Sequence, residues 1–252
     1  MNATDLVAAL DLPSGCRLDQ RVPKKLLVEN GAPTAADKRR ITEGIEEIYW
    51  LAVLKPANIG IPEYRDEVRE YLEIALLSVT LRPGAKATRL AELIHRSVPY
   101  PVFLLMVQDE ALTLSLAHKR WSQGEADKTV LDSGLVCVDL RGPLEVSPAQ
   151  SFREMMSLSH QPGTNLHALY QGWIDTVLAL QVASITGCFT VSVSPEHAEA
   201  RRDALRECAT LAAEIAALRS AAAKEKQIHR QVEINLEHKR LQAKLAVARE
   251  AL

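Results

Sequence analysis

The sequence predicts an α+β protein: an α-β-β-α-β-β body with added helices, followed by a long C-terminal helical, coiled-coil-like segment. Three observations predict it. Helical and strand-like apolar patterns follow one another without a repeating βαβ order. Ala and Leu are abundant while aromatic residues make up 4% of the chain, a balance that favours helix. Beyond Pro195 the chain runs to Leu252 with no further Pro and no Gly.

In chain order, Asp11, Pro13, Ser14 and Gly15 mark an irregular start, and a basic cluster, "RVPKK", follows. In "APTAADKRRITEGIEEIYWLAVL" Thr34 is placed to cap a helix, with Asp37 three residues on and Ile41, Ile45 and Ile48 at helical spacing. The run from Ile48 then becomes continuously apolar, a strand or a helix end, until "KPANIGIP" stops it. "REYLEIALLSVTLRPG" reads as a strand that ends at Pro83-Gly84. "ATRLAELIHRSV" reads as an amphipathic helix carrying Leu90, Leu93 and Ile94 on one face. "PYPVFLLMVQDEALTLSLAHKRW" reads as a hairpin turning at Gln108-Asp109-Glu110, and "TVLDSGLVCVDL" as an edge hairpin around Ser133-Gly134. Helix resumes to Phe189, broken at Gln161-Pro162-Gly163. Its second piece stripes Leu166, Leu169, Trp173, Val177 and Leu180 on one face. Ser194 and Pro195 then read as the cap and first residue of the last helical run.

That run would measure roughly 85 Å if straight. Ala204, Cys208, Leu211, Ile215, Leu218 and Ala222 form an early heptad seam. Ile234, His238, Leu241, Leu245, Ala248 and Leu252 form a late seam in a shifted phase, as a stutter or a bend between two shorter helices produces. So polar a helix needs its seam covered, and the expected cover is a second copy or another protein. The resulting domain reading is an α+β globular domain over 1–145, a helical extension and linker over 146–194, and a coiled-coil or docking segment over 195–252.

Composition limits the function. With 30 Lys and Arg against 32 Asp and Glu the formal charge is −2, without the basic excess of a protein wrapped in nucleic acid. No stretch approaches the ~20 apolar residues of a membrane span, and the start lacks the basic n-region of a secretion signal. The expected location is the cytoplasm. Cys16, Cys137, Cys188 and Cys208 share no CxxC spacing and read as buried thiols rather than metal ligands. There is no phosphate-binding Gly-rich loop and no G-x-S-x-G elbow. His95 and His118 have no sequence partner for a triad. His229 and His238 fall on different faces of a helix. No catalytic residue, metal ligand or cofactor is assigned on these grounds.

Two sets of residues carry candidate sites. Arg21, Lys24, Lys25, Lys38, Arg39 and Arg40, extended by Arg17, could neutralise DNA backbone phosphates, or could be a solvated face paired with Glu43, Glu46 and Glu47. Leu211, Ile215 and Leu218 on the early seam, with Gln227, Ile228, Arg230, Val232 and Asn235 of "KEKQIHRQVEIN", suit a docking helix whose polar groups fix register. A weaker pattern, Asp66 and Glu73 with Lys119, would serve a metal-dependent nuclease, although Glu73 is followed by Ile74 and Ala75 rather than the usual x-Lys.

"RVPKK", "DKRRITEGIEEIYWLAVLKPANIGI", "EYLEIALLSVTL", "HRSVPYPVFLL", "LAHKRW" and "KEKQIHRQVEIN", in that order, resemble a bacterial domain-of-unknown-function family of small cytoplasmic α+β proteins with a C-terminal helical tail. The resemblance spans nearly the whole chain. It implies genes set beside those for Swi/Snf-type helicases and DNA methyltransferases in anti-phage or restriction-like islands. It brings no active site with it. The expectation is therefore a non-enzymatic adaptor that docks through its C-terminal helices to a helicase, a methyltransferase or itself, with DNA backbone contact and without a membrane. The alternative is a nuclease with a degraded motif.

Overall fold

The computed structural model describes residues 1–124, 128–140 and 146–252. The expected domain boundary at residue 145 lies outside the described residues. By contact density the chain divides into two units, Met1–Val177 and Leu178–Leu252.

The first unit is built on a six-stranded mixed sheet. Helix α1 (Ala3–Ala9) starts it, with Asn2 and Asp5 forming a reciprocal capping box. Strand β1 (Arg17–Arg21) is an edge strand with every residue exposed. Helix α2 (Lys24–Gly31) leads into α3 (Ala35–Gly44), which Thr34 caps as expected by accepting from Asp37 N. The ambiguous run after α3 is strand, β2 (Ile45–Leu54), with its backbone paired to β1 on one side and to β5 (Ile74–Leu81) on the other. A short helical turn, α4 (Pro56–Ile59), and a two-stranded ribbon of β3 (Tyr64–Arg65) and β4 (Glu70–Tyr71) precede β5 (Ile74–Leu81). Helix α5 (Ala87–Ser97) crosses over to β6 (Val102–Gln108), which therefore runs parallel to β5. Strand β7 (Ala111–Trp121) turns back through Asp109 and Glu110, both at positive φ, the geometry of a tight hairpin turn.

The edge hairpin expected around Ser133-Gly134 is corrected. Thr129–Asp139 is one strand, β8, paired antiparallel along the length of β7 from Thr113↔Asp139 to Trp121↔Thr129. The register slips between Leu116 and His118, where residues 133–135 oppose Ala117 alone, so the turn signal marks a bulge within the strand rather than a hairpin. The sheet order is β1-β2-β5-β6-β7-β8, and β5-β6 is its parallel pair.

The two sheet faces are covered differently. Val102, Leu104 and Met106 of β6 face a core with Leu27 of α2, Ile41 of α3 and Leu90, Leu93 and Ile94 of α5. Asp37, buried on α3, ties that layer together by accepting from Arg89 of α5. Phe103, at an alternate β6 position, meets Trp173 edge-on at 5.2 Å. Trp173 lies on α7 (Leu166–Thr186), which follows α6 (Val146–Met155), and its indole donates to Met156 O. The expected α7 stripe of Leu166, Leu169, Trp173, Val177 and Leu180 is buried throughout.

The second unit contains α8 (Pro195–Lys224) and α9 (Ile228–Glu250), with Ser194 capping α8 as expected. The terminal run is thus two helices. They are antiparallel: Ala222 O accepts from Gln231, Arg219 donates to His238, and Arg201 donates to Leu252 O. Cys208, Leu211 and Ile215 pack with Leu241 and Ala248, flanked by Leu218, Leu245 and Leu252. This corrects the expectation that another chain covers the early seam. The late seam of the same chain covers it, and the phase shift between the two seams is the bend that permits this. The thiol expectation also needs correction. Cys16 and Cys208 are buried, but Cys188 is exposed and Cys137 half-buried with its thiol on Ser115 Oγ.

Candidate functional site

A buried polar side chain destabilises a fold unless it is bonded, so the buried polar groups are where chemistry would be found. Two of them, Ser115 and Lys119, stand on β7 beside the half-buried His118, and successive side chains there point to opposite sheet faces.

On the α7 face stands His118. The Lys119 backbone N–H donates to Tyr71 Oη, leaving the Tyr71 hydroxyl hydrogen for His118 Nδ1 at 2.5 Å. His118 Nε2 then carries the ring proton and donates to Gln171 Oε1 at 2.7 Å, while Gln171 donates onward to Asp175. His167 stacks on His118 at 4.9 Å and meets Tyr64 and Tyr71 at the same spacing. Beside these rings Tyr64 donates to Asp66, whose other oxygen accepts the backbone N–H groups of Val68 and Arg69 and so closes the β3–β4 turn. Arg69 holds Asp132 of β8 through two nitrogens, at 2.6 and 2.9 Å.

The ladder explains the fourth ring of this group. The β6–β7 pairing stops at Leu104↔Ser115, so the groups next along it, Ala117 N–H and Val102 O, are not joined directly. Tyr170 Oη accepts that N–H at 3.0 Å and donates to Val102 O at 2.7 Å, replacing the missing ladder bond.

Burial lowers the His118 pKa to about 4 and pushes the Tyr71 and Tyr170 hydroxyls up. At neutral pH His118 is an uncharged ring with both nitrogens engaged, and Tyr71 stays protonated. The arrangement joins β4, β7 and α7.

On the α5 face Lys119 is 3% exposed. Its ammonium donates to the carbonyls of His95 and Val98 at the C-terminal end of α5, where a cation suits the helix dipole. Burial pulls its pKa down to about 7. His95, fully buried, bonds Ser115 through Nε2, while its Nδ1 has no partner among the described residues. Burial lowers its pKa to about 3.

The three residues of the nuclease pattern are engaged separately. Asp66 closes the β3–β4 turn, Glu73 pairs with Lys55 at 2.7 Å, and Lys119 caps α5. Among the described residues no three His, Cys, Asp or Glu side chains are grouped so as to hold a metal ion.

The basic set is divided. Lys24 donates to Thr42 O and Ile45 O and so caps the C-terminal end of α3. Lys25 pairs with Glu29, Arg39 with Glu43 and Arg40 with Asp37. Arg21 and Lys38 are exposed. The docking set is divided too: Leu211, Ile215 and Leu218 pack in the α8–α9 seam, whereas Gln227, Ile228, Arg230, Val232 and Asn235 are exposed at the start of α9. What the docking residues did not reveal is that the exposed line continues to Leu236 and Val247.

A family model described as a domain of unknown function, DUF4391, matches residues 10–245. The chain belongs to the DUF4391 family. The matched span of this DUF4391 chain takes in the sheet body and nearly all of the α8–α9 hairpin, so both are parts of the family's domain. No curated protein and no solved structure matches it. No helix among the described residues is long and apolar enough to cross a membrane.

Proposed function

We propose that this DUF4391 protein is a non-enzymatic adaptor of a bacterial DNA-acting complex, of anti-phage or restriction type, that docks through its C-terminal helices to a helicase, a DNA methyltransferase or itself. The observation that carries this reading is the outer surface of α9. Ile228, Val232, Leu236 and Val247 are 79, 52, 63 and 67% exposed although each is large and apolar. Apolar surface left in water on a helix whose opposite face is already packed marks an interaction site. Tyr71, His118, Lys119 and Tyr170 of the body, by contrast, are engaged in bonds that join its elements. The resemblance to proteins encoded beside helicases and methyltransferases supplies the class of partner. Arg21 and Lys38 are the basic residues this reading assigns to the DNA backbone, since Lys24 caps α3 and Lys25, Arg39 and Arg40 are paired with carboxylates.

The test uses the full chain, tagged at its natural level in the native host. Mass spectrometry of the purified complex should find a helicase or methyltransferase in near-stoichiometric amount. The double substitution Ile228→Asp with Val232→Asp, on exposed positions that leave the fold intact, should lower its recovery at least tenfold. Undiminished recovery would sink the docking assignment.

A further inference from the structure

We infer that the first half of β8 binds an extended peptide segment of a partner protein, through the backbone groups that Thr129 and Leu131 turn away from the sheet. This goes beyond the adaptor reading and does not depend on the α9 surface.

The argument starts from the hydrogen-bond ladder. In an antiparallel pair, alternate residues bond to the neighbouring strand, and the residues between them turn their N–H and C=O groups the other way. Ser122 N donates to Lys128 O, which fixes the phase. Val130 and Asp132, opposite Arg120 and His118, therefore bond to β7, whereas Thr129 and Leu131, opposite Trp121 and Lys119, face outward. The same phase shows on β7: Trp121 N and Lys119 N turn away from β8, to Val68 O and Tyr71 Oη. Strand β8 is the last in the sheet. Among the described residues nothing bonds the outward groups of Thr129 and Leu131. Two donors and two acceptors at this alternation are the complement of another extended backbone, which satisfies all four at once.

The stretch is open to such a neighbour. Thr129, Val130 and Leu131 carry no charge, and the Asp132 carboxylate is held by Arg69 at 2.6 Å. The irregular register lies beyond them, at residues 133–135, and so bounds the regular run without breaking it.

A cleft completes the site. It measures about 780 Å³ and lies between Thr129–Leu131 and the C-terminal ends of α2 and α5, at Gly31 and Ser97. Thr129 Oγ donates to Pro99 O and anchors the start of β8 beside the end of α5. Side chains of an extended segment project to alternate faces, so every second one enters this cleft. Ala32, Pro33 and Pro99 give the cleft apolar walls, and Glu29, Arg96 and Lys128 bring charge of both signs. Arg96 is paired with Glu92 at 2.7 Å. Backbone bonds therefore dominate recognition, and the segment selected is uncharged with an apolar side chain facing the cleft.

The experiment uses the purified full chain and a phage-displayed library of linear dodecapeptides. Amide exchange of the chain alone comes first: Thr129 and Leu131 should exchange fast, Val130 and Asp132 slowly. Peptides selected on the chain and resynthesised should slow exchange at Thr129 and Leu131 about tenfold or more. Methylating a peptide's own backbone nitrogen at the pairing positions should weaken binding about tenfold or more. Leu131→Pro should do the same, because it removes an outward N–H and leaves the ladder to β7 intact. Circular dichroism checks the fold of that variant, and the methylated peptides test the same bond on the unaltered chain. Slow exchange of Thr129 and Leu131 in the chain alone overturns the inference, since the edge would already be covered. So does protection of both amides that rises with chain concentration in the absence of peptide, since the occupant would then be a second copy. A library that yields no peptide protecting both amides, or peptides indifferent to methylation, overturns it as well.

Discussion

His118 and His95 are both kept neutral by what surrounds them, one on each face of the sheet, and stability should depend on pH as a result. Both folded pKa values lie below the ordinary 6.5, at about 4 and about 3. Between those limits the unfolded chain takes up protons that the folded chain refuses. Their contribution is therefore complete above pH 6.5 and is lost as pH falls toward 4 and below. For His118 the full effect is on the order of 3 kcal/mol. Urea midpoints measured from pH 7 down to pH 4.5 should fall steeply, and His118→Gln should flatten that fall. Tyr170→Phe is a second residue-scale probe. It strips the hydroxyl that serves Ala117 N–H and Val102 O, leaving a buried donor and acceptor unbonded at a cost of about 2–4 kcal/mol, readable by denaturant titration. None of this was legible along the chain. The partners of His118 stand far from it in sequence, at Tyr71 and Gln171, and the point where a ladder opens has no local signature. The one available hint was "HKR" itself, charged residues at the end of an otherwise apolar strand.

Among the elements, helix starts were readable because a cap is a local device: Thr34 and Ser194 accept the N–H groups their positions predict. The β6–β7 turn was readable for the same reason. Strand β1 was not, since its five residues are all exposed and carry no apolar alternation. Nor was α2, whose fit depends on a distant neighbour. A methyl group added at Gly31 would lie 1.8 Å from Ser97 Oγ and 2.8 Å from Ser97 Cα, so glycine there lets α2 end directly against α5. The Ser97 hydroxyl bonds both Leu27 O and Leu93 O across that contact. Gly31→Ala should push the two helices apart and cost about 1–3 kcal/mol in a denaturant titration, against less than 0.5 kcal/mol for an alanine at the open position Gly163.

At the scale of the whole molecule, the seams were visible in the sequence and their partnership was not. The phase shift between them allowed a bend, but without Gly or Pro the sequence did not separate a bend from a stutter. Here Glu225 makes it, its carboxylate accepting the N–H groups of Lys226 and Gln227 so that the chain leaves one helix and enters the next. Once α8 has taken the late seam, what remains for another molecule is the outer stripe of α9.

The rim of the sheet at β1 sets a further condition on any partner. Arg17, Asp19, Gln20 and Arg21 put charge or amide on its border, and the shift of register between Arg17 and Gln20, with Asp19 at φ 48°, bends the border out of line. Such a margin refuses an incoming extended peptide. A visitor cannot lengthen the sheet there by adding a strand of its own, and is turned toward the helices instead.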